Sequence, residues 1–147
     1  MKPGGGRSKG HQFEREIAKE LEMELGIKFS RILNQTREGG LADLEAVDFP
    51  DFPFVIECKR YAKGGVQPKW WDQVCVAADK AGNGKLPLLI WRGDRMPVRC
   101  RMPIQAIVGL SIHQPALDQN ELYDWKYACE LDWKTAMMVI REHLDDV

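Results

Sequence analysis

The chain has 147 residues, 44% hydrophobic and 29% charged, with a formal net charge of −1. That is enough apolar material for one packed domain, and no apolar run approaches the roughly 18 residues of a membrane span. Four scattered cysteines, at 58, 75, 100 and 129, form no C-x-x-C pair, which argues against a zinc or disulfide framework and for a reducing, cytoplasmic setting.

In chain order, residues 1–7 are glycine-rich and polar, a flexible lead with no signal-peptide pattern. Residues 8–25 predict a helix stopped by Gly26. Phe13, Ile17, Ala18, Leu21 and Leu25 form its apolar stripe. Glu16, Glu20 and Glu22 fall outside that stripe and Glu24 at its edge, but Glu14 falls near its middle. A carboxylate there needs a partner, either a cation site or an arginine such as Arg31. Residues 28–35 are a short strand or an irregular lead-in.

Gly39 and Gly40 precede a hairpin. Asp48, Pro50, Asp51 and Pro53 make its turn, and the arms are residues 41–47 and 54–60. With the turn centred near Pro50, partner numbers sum to about 100, so Asp43 faces Glu57 at about 4.5–5.5 Å. Two carboxylates so close repel unless a cation lies between them. A slip of two residues would substitute Glu45 for Asp43. Asp48 and Asp51 lie roughly 15 Å or more from Glu57, too far to join it.

The second arm is apolar until Glu57-Cys58-Lys59. Alternation puts Glu57 and Lys59 on one face and Cys58 on the other. An oxygen ligand for a hard cation beside an ammonium is the pair that metal-dependent phosphodiester hydrolysis needs, although the triplet alone is common on solvated strands.

Residues 67–80 predict a helix with Trp70, Val74, Ala77 and Ala81 inward and Gln73 at the margin. Residues 81–85 turn, and Leu86–Trp91 reads as a buried strand. Residues 92–97 turn again. Arg99 and Arg101 share a face of the next strand, for DNA backbone or simply for solvent. Residues 131–144 form a last amphipathic helix, with Trp133, Met137, Ile140 and Leu144 for a core or a dimer seam. His11, His113 and His143 have no ligand spacing.

Lys9-Gly10 leading to Glu14, Asp43 after the glycine pair, Ile56-Glu57-Cys58-Lys59, and Gln73 on the next helix together resemble the PD-(D/E)xK nucleases. The likeness is nearest to archaeal Holliday junction resolvases and related phage endonucleases, over about residues 7–102. Ala42-Asp43 stands where the family has Pro-Asp. The resemblance implies an α/β, restriction-endonuclease-like core: a mixed central sheet flanked by helices in the order αβββαβ, in one domain spanning 1–147. Residues 8–102 would form its core, with an acidic extension, 103–147, packed on the core or on a dimer partner.

It also implies a catalytic set of Glu14, Asp43, Glu57, Lys59 and Gln73. Mg²⁺ (or Mn²⁺) would be held by Asp43, Glu57, the Cys58 carbonyl and Glu14. The expected partners are DNA, branched by preference, and a second copy of the chain, in the cytoplasm of a bacterial, archaeal or phage-infected cell. Arg7, Lys9, Arg15, Arg60 and Lys63 are the candidates for phosphate contacts.

The charge distribution fits such a role. Residues 57–101 carry ten Lys/Arg against four Asp/Glu, and 102–147 carry three against eight. A phosphate-binding face requires such a basic surplus. Two other functions stay open from sequence: a nicking or restriction-type nuclease without junction preference, and a catalytically silent DNA-binding module on the same fold.

Overall fold

The computed structural model describes residues 5–33, 42–108 and 123–145, with side chains from residue 8 onward. The amphipathic N-terminal segment forms α1 (Gly5–Leu25). It stops at Gly26, whose φ of 72° suits a residue without a Cβ. The uncertain lead-in resolves as a three-residue strand, β1 (Phe29–Arg31).

β1 pairs with β2 (Leu44–Ala46), and β2 pairs with β3 (Phe54–Tyr61). Leu44 stands opposite Ile56, which is the register expected from a turn near Pro50. Asp48 lies in that turn at φ 59°, a conformation aspartate tolerates better than most residues.

β3 and β4 (Leu86–Gly93) run parallel, joined by the crossover helix α2 (Pro68–Ala81). Both strands are buried on both faces for most of their length, which accounts for their near-continuous apolar runs. β5 (Arg99–Pro103) and β6 (Ala128–Asp132) complete a six-stranded mixed sheet in sequential order, each antiparallel to its predecessor. A short α3 (Ile104–Val108) and a 3₁₀ turn at Trp125–Tyr127 precede β6, and α4 (Trp133–Asp145) follows it.

Two apolar layers flank the sheet. α1 and α4 pack Phe13, Ile17, Leu21, Met137 and Ile140 onto Ile56, Cys58, Leu88 and Ile90. α2 packs Trp71, Val74 and Ala78 onto Val55, Leu89 and Trp91. Trp71 is fully buried and Ala81 exposed, so α2 is turned slightly from the expected orientation. The acidic C-terminal segment thus supplies a sheet strand and a core helix. Among the described residues, no helix is long and apolar enough to cross a membrane.

Candidate active site

β2 is short and β3 runs on past it, so among the described residues no strand pairs with residues 57–59 of β3 on the β2 side. Asp43 sits at that break. Its N–H still donates to the Ile56 carbonyl at 3.0 Å. Its carboxylate then takes over the ladder: Oδ2 accepts from the Cys58 N–H at 2.7 Å. In an extended strand, a residue's C=O leaves on the same side as its N–H, so the Cys58 carbonyl faces this side too. Glu45, the alternative to Asp43, is exposed.

Among the described residues, the buried charged side chains are Glu14, Asp43 and Glu57, at 6, 7 and 8% exposure. Burial pushes Asp43 up to about 6, against the pull of the Cys58 N–H. Burial, and then the charge of Asp43, pushes Glu57 up to about 9. The two carboxyls therefore hold a proton between them at neutral pH, as a crowded pair must. Lys59 Nζ lies 3.8 Å from Glu57 Oε1, the neighbour on its strand face.

Glu14 reaches the site from α1, and its charge raises both Asp43 and Glu57. Its own carboxylate is engaged: Arg31 Nε donates to Oε2 at 2.6 Å. Of the two partners the sequence allowed, the structure supplies the arginine.

The remaining candidates divide. Lys9, Arg15 and Lys63 are exposed. Arg7 lies in the first turns of α1, and its side chain is outside the described residues. Arg60 is not a free cation. It pairs with Asp94 at 2.6 Å and donates to the Tyr61 carbonyl at 2.8 Å, because parallel pairing with β4 brings Asp94 beside it. Gln73 is exposed on α2 and makes no hydrogen bond to the acids, because the helix buries the sides carrying Trp70, Trp71 and Val74 instead. Arg99 and Arg101 both pair with Glu130 on β6, and Arg101 also lies 3.6 Å over the Trp125 ring. They serve the sheet. Asp94 is the partner the sequence reading missed, since it lies far from Arg60 along the chain and meets it only through the pairing of β3 with β4.

Among the described residues, no group of three or more His, Cys, Asp or Glu side chains is arranged to hold a metal ion. A hard cation does not need three. Mg²⁺ is usually held by one or two carboxylates and keeps several waters. Asp43, Glu57 and the Cys58 carbonyl are oxygen donors grouped where β3 passes the end of β2, and the repulsion between the two acids is what a divalent cation removes. The donor set fits such an ion.

A family model described as a phage putative PDDEXK endonuclease matches residues 5–140. No curated protein matches the chain. Among solved structures, the chain is similar to Hjc, a Holliday junction resolvase from the archaeal hyperthermophile Archaeoglobus fulgidus. The two are 16% identical, with a TM-score of 0.47 over 84% of this chain and 86% of that one. The family match runs from α1, which carries Glu14, through the hairpin acids to α4, and the chain belongs to the phage PDDEXK endonuclease family.

Proposed function

We propose that the chain is a divalent-metal-dependent DNA endonuclease, acting at Asp43, Glu57 and Lys59 and preferring branched DNA. The observation that carries this reading is that the buried charged side chains of the described residues, Glu14, Asp43 and Glu57, gather with Lys59 where β3 runs past the end of β2. Burying these acids together is costly, and neither core cluster gains from them.

Asp43, Glu57 and the Cys58 carbonyl would hold Mg²⁺ or Mn²⁺. When bound, the ion supplies Lewis-acid stabilisation of phosphate charge and acidifies water. To serve as a ligand, Glu57 would release to solvent the proton that burial and Asp43 favour on it. The Cys58 N–H keeps the Asp43 carboxylate aimed along this side of β3. Lys59 orients the attacking water or neutralises charge growing on the phosphate oxygens. Glu14, fixed by Arg31, adds negative charge and would join the site through a water. Cleavage would leave a 5′-phosphate and a 3′-hydroxyl.

The preference for branched DNA rests on the order of motifs in the sequence and on a proposed homodimer. Two symmetry-related sites suit two strands of a four-way junction. The test is a cleavage gel of a junction, a linear duplex and a single strand of matched sequence, with Mg²⁺, Mn²⁺ or EDTA. Paired nicks on opposite junction strands and weak duplex cutting are expected. Equal cutting of junction and duplex would leave a general nuclease. No metal-dependent cutting of any substrate would leave a silent binding module.

A further inference from the structure

The strand that carries Lys59 also bolts down a turn. Beyond Lys59, β3 ends in Arg60 and Tyr61, whose partners on parallel β4 are Arg92 and Gly93. Arg60 reaches across one face of the sheet to Asp94 at 2.6 Å. Tyr61 reaches across the other: a Cβ on Gly93 would meet its ring at 2.8 Å, so glycine there is a fit to Tyr61. Trp70 backs the same ring, with centroids 5.7 Å apart. The Asp94 N–H donates to the Tyr61 carbonyl at 3.1 Å, and Arg92 Nε donates to the Met96 carbonyl at 3.0 Å. The turn Gly93–Met96 is thus fixed on both faces and along the backbone.

What the turn displays is unusual for a surface loop. It closes with Met96 N–H on the Gly93 carbonyl at 3.1 Å, and its third residue, Arg95, has φ 62°. Turns with positive φ at that position favour glycine. An arginine is held there against backbone preference, exposed, with no hydrogen-bond or ion-pair partner among the described residues. Met96 follows at 55% exposure, and Pro97 is exposed as well. A strained position on a rigid support is where a function is sought. The turn begins about 7 Å past Lys59 along the strand, at the carboxyl ends of the two parallel strands, where open α/β sheets receive ligands.

We infer that Arg95 and Met96 form a rigid probe that enters the minor groove of DNA beside the cut site, and so set where the scissile phosphate sits. The inference rests on the nuclease reading above. An arginine followed by exposed methionine and proline has the right chemistry: arginine reads minor-groove width and potential, and such apolar side chains wedge into base steps. A phosphate-only contact would need the arginine but neither the methionine nor the rigid mount.

The experiment uses the full chain, with Arg95→Gly and Met96→Ser. DNA binding is followed in Ca²⁺ or EDTA, and 2-aminopurine is placed at base steps flanking the mapped cut. Arg95→Gly is expected to raise Tm by about 2 °C, the effect of relieving one strained residue in a chain of this size, while weakening binding about tenfold. Met96→Ser is expected to keep Tm, weaken binding about tenfold and abolish the 2-aminopurine fluorescence rise expected of the unsubstituted protein. Both should blur the cut position. Variants that bind and cut like the unsubstituted protein would overturn the inference and leave the nuclease reading intact. Loss confined to Arg95→Gly, with no 2-aminopurine signal, would overturn it in favour of a backbone contact. A parent protein that neither binds nor cuts DNA would remove both.

Discussion

Arg31 Nε lies 2.6 Å from Glu14 Oε2 and so ties α1 to β1 directly beside the paired acids. The glutamate side chain is 7% exposed and the arginine 22%. Removing one member of such a pair strands the other. Glu14→Gln is therefore expected to lower stability by about 2–4 kcal/mol, somewhat below the loss for a fully buried pair because Arg31 keeps some water. It should also lower cleavage. A double-mutant cycle with Arg31→Met, read by urea unfolding, checks the coupling. Unchanged stability would show that the pair is idle and that Glu14 serves the site alone.

Asp43 and Glu57 should behave in the opposite way. Each is a buried acid forced against its neighbour, so Asp43→Asn and Glu57→Gln relieve strain in the metal-free protein. Both are expected to raise Tm at pH 8 in EDTA and to lower Mg²⁺-dependent cleavage by about 10²–10³-fold or more. DNA binding in EDTA should survive. Asp48→Asn, in the exposed hairpin turn, keeps the left-handed position and should change neither quantity. Loss of cleavage in Asp48→Asn with normal cleavage in Asp43→Asn would place the second acid wrongly.

The same pair sets a pH dependence. Asp43 rises from 3.8 to about 6 on folding and Glu57 from 4.5 to about 9. Between those limits the native state holds more protons than the unfolded state, so stability falls as pH rises. Metal-free protein should thus lose Tm from these groups as pH climbs from about 4 to about 9. Saturating Mg²⁺ should flatten that fall, and its binding at pH 7 should release about one proton. Calorimetric titration in buffers of different ionisation heat measures the proton directly. Zero release would mean that Glu57 is already ionised or is not a ligand.

The exposed cations are expected to govern salt dependence. Lys9, Arg15 and Lys63 are exposed, while Arg60 is taken by Asp94. Alanine at any of the first three that touches phosphate should reduce the slope of log affinity against log salt by about 0.9. Arg60→Ala should leave the slope nearly unchanged, lower Tm and loosen the Gly93–Met96 turn. Fluorescence anisotropy over a salt series separates the two behaviours. A full unit lost from the slope in Arg60→Ala, at constant Tm, would return that residue to the DNA face.

The sequence by itself determined the parts that depend on local periodicity. Glu14 stands on the apolar stripe of a 3.6-residue helix, and Glu57 and Lys59 share a face through the two-residue repeat of a strand. A proline-rich turn at a known place fixed the register that set Asp43 against Glu57. Each of these follows from geometry within a few residues or across one tight hairpin. Tertiary structure decided which cations are spent. Arg60 meets Asp94 only because β3 and β4 pair in parallel, and Arg99 and Arg101 meet Glu130 only because β6 closes the sheet beside β5. The basic surplus counted along residues 57–101 is partly neutralised by these pairings. The exposure of Gln73 was undecided for a related reason, since a residue at the margin of a helical stripe is placed by how the whole helix sits on the sheet. Period tells which side of its own element a side chain leaves from. What it meets there depends on strand pairings and helix seating that bring residues tens of positions apart together.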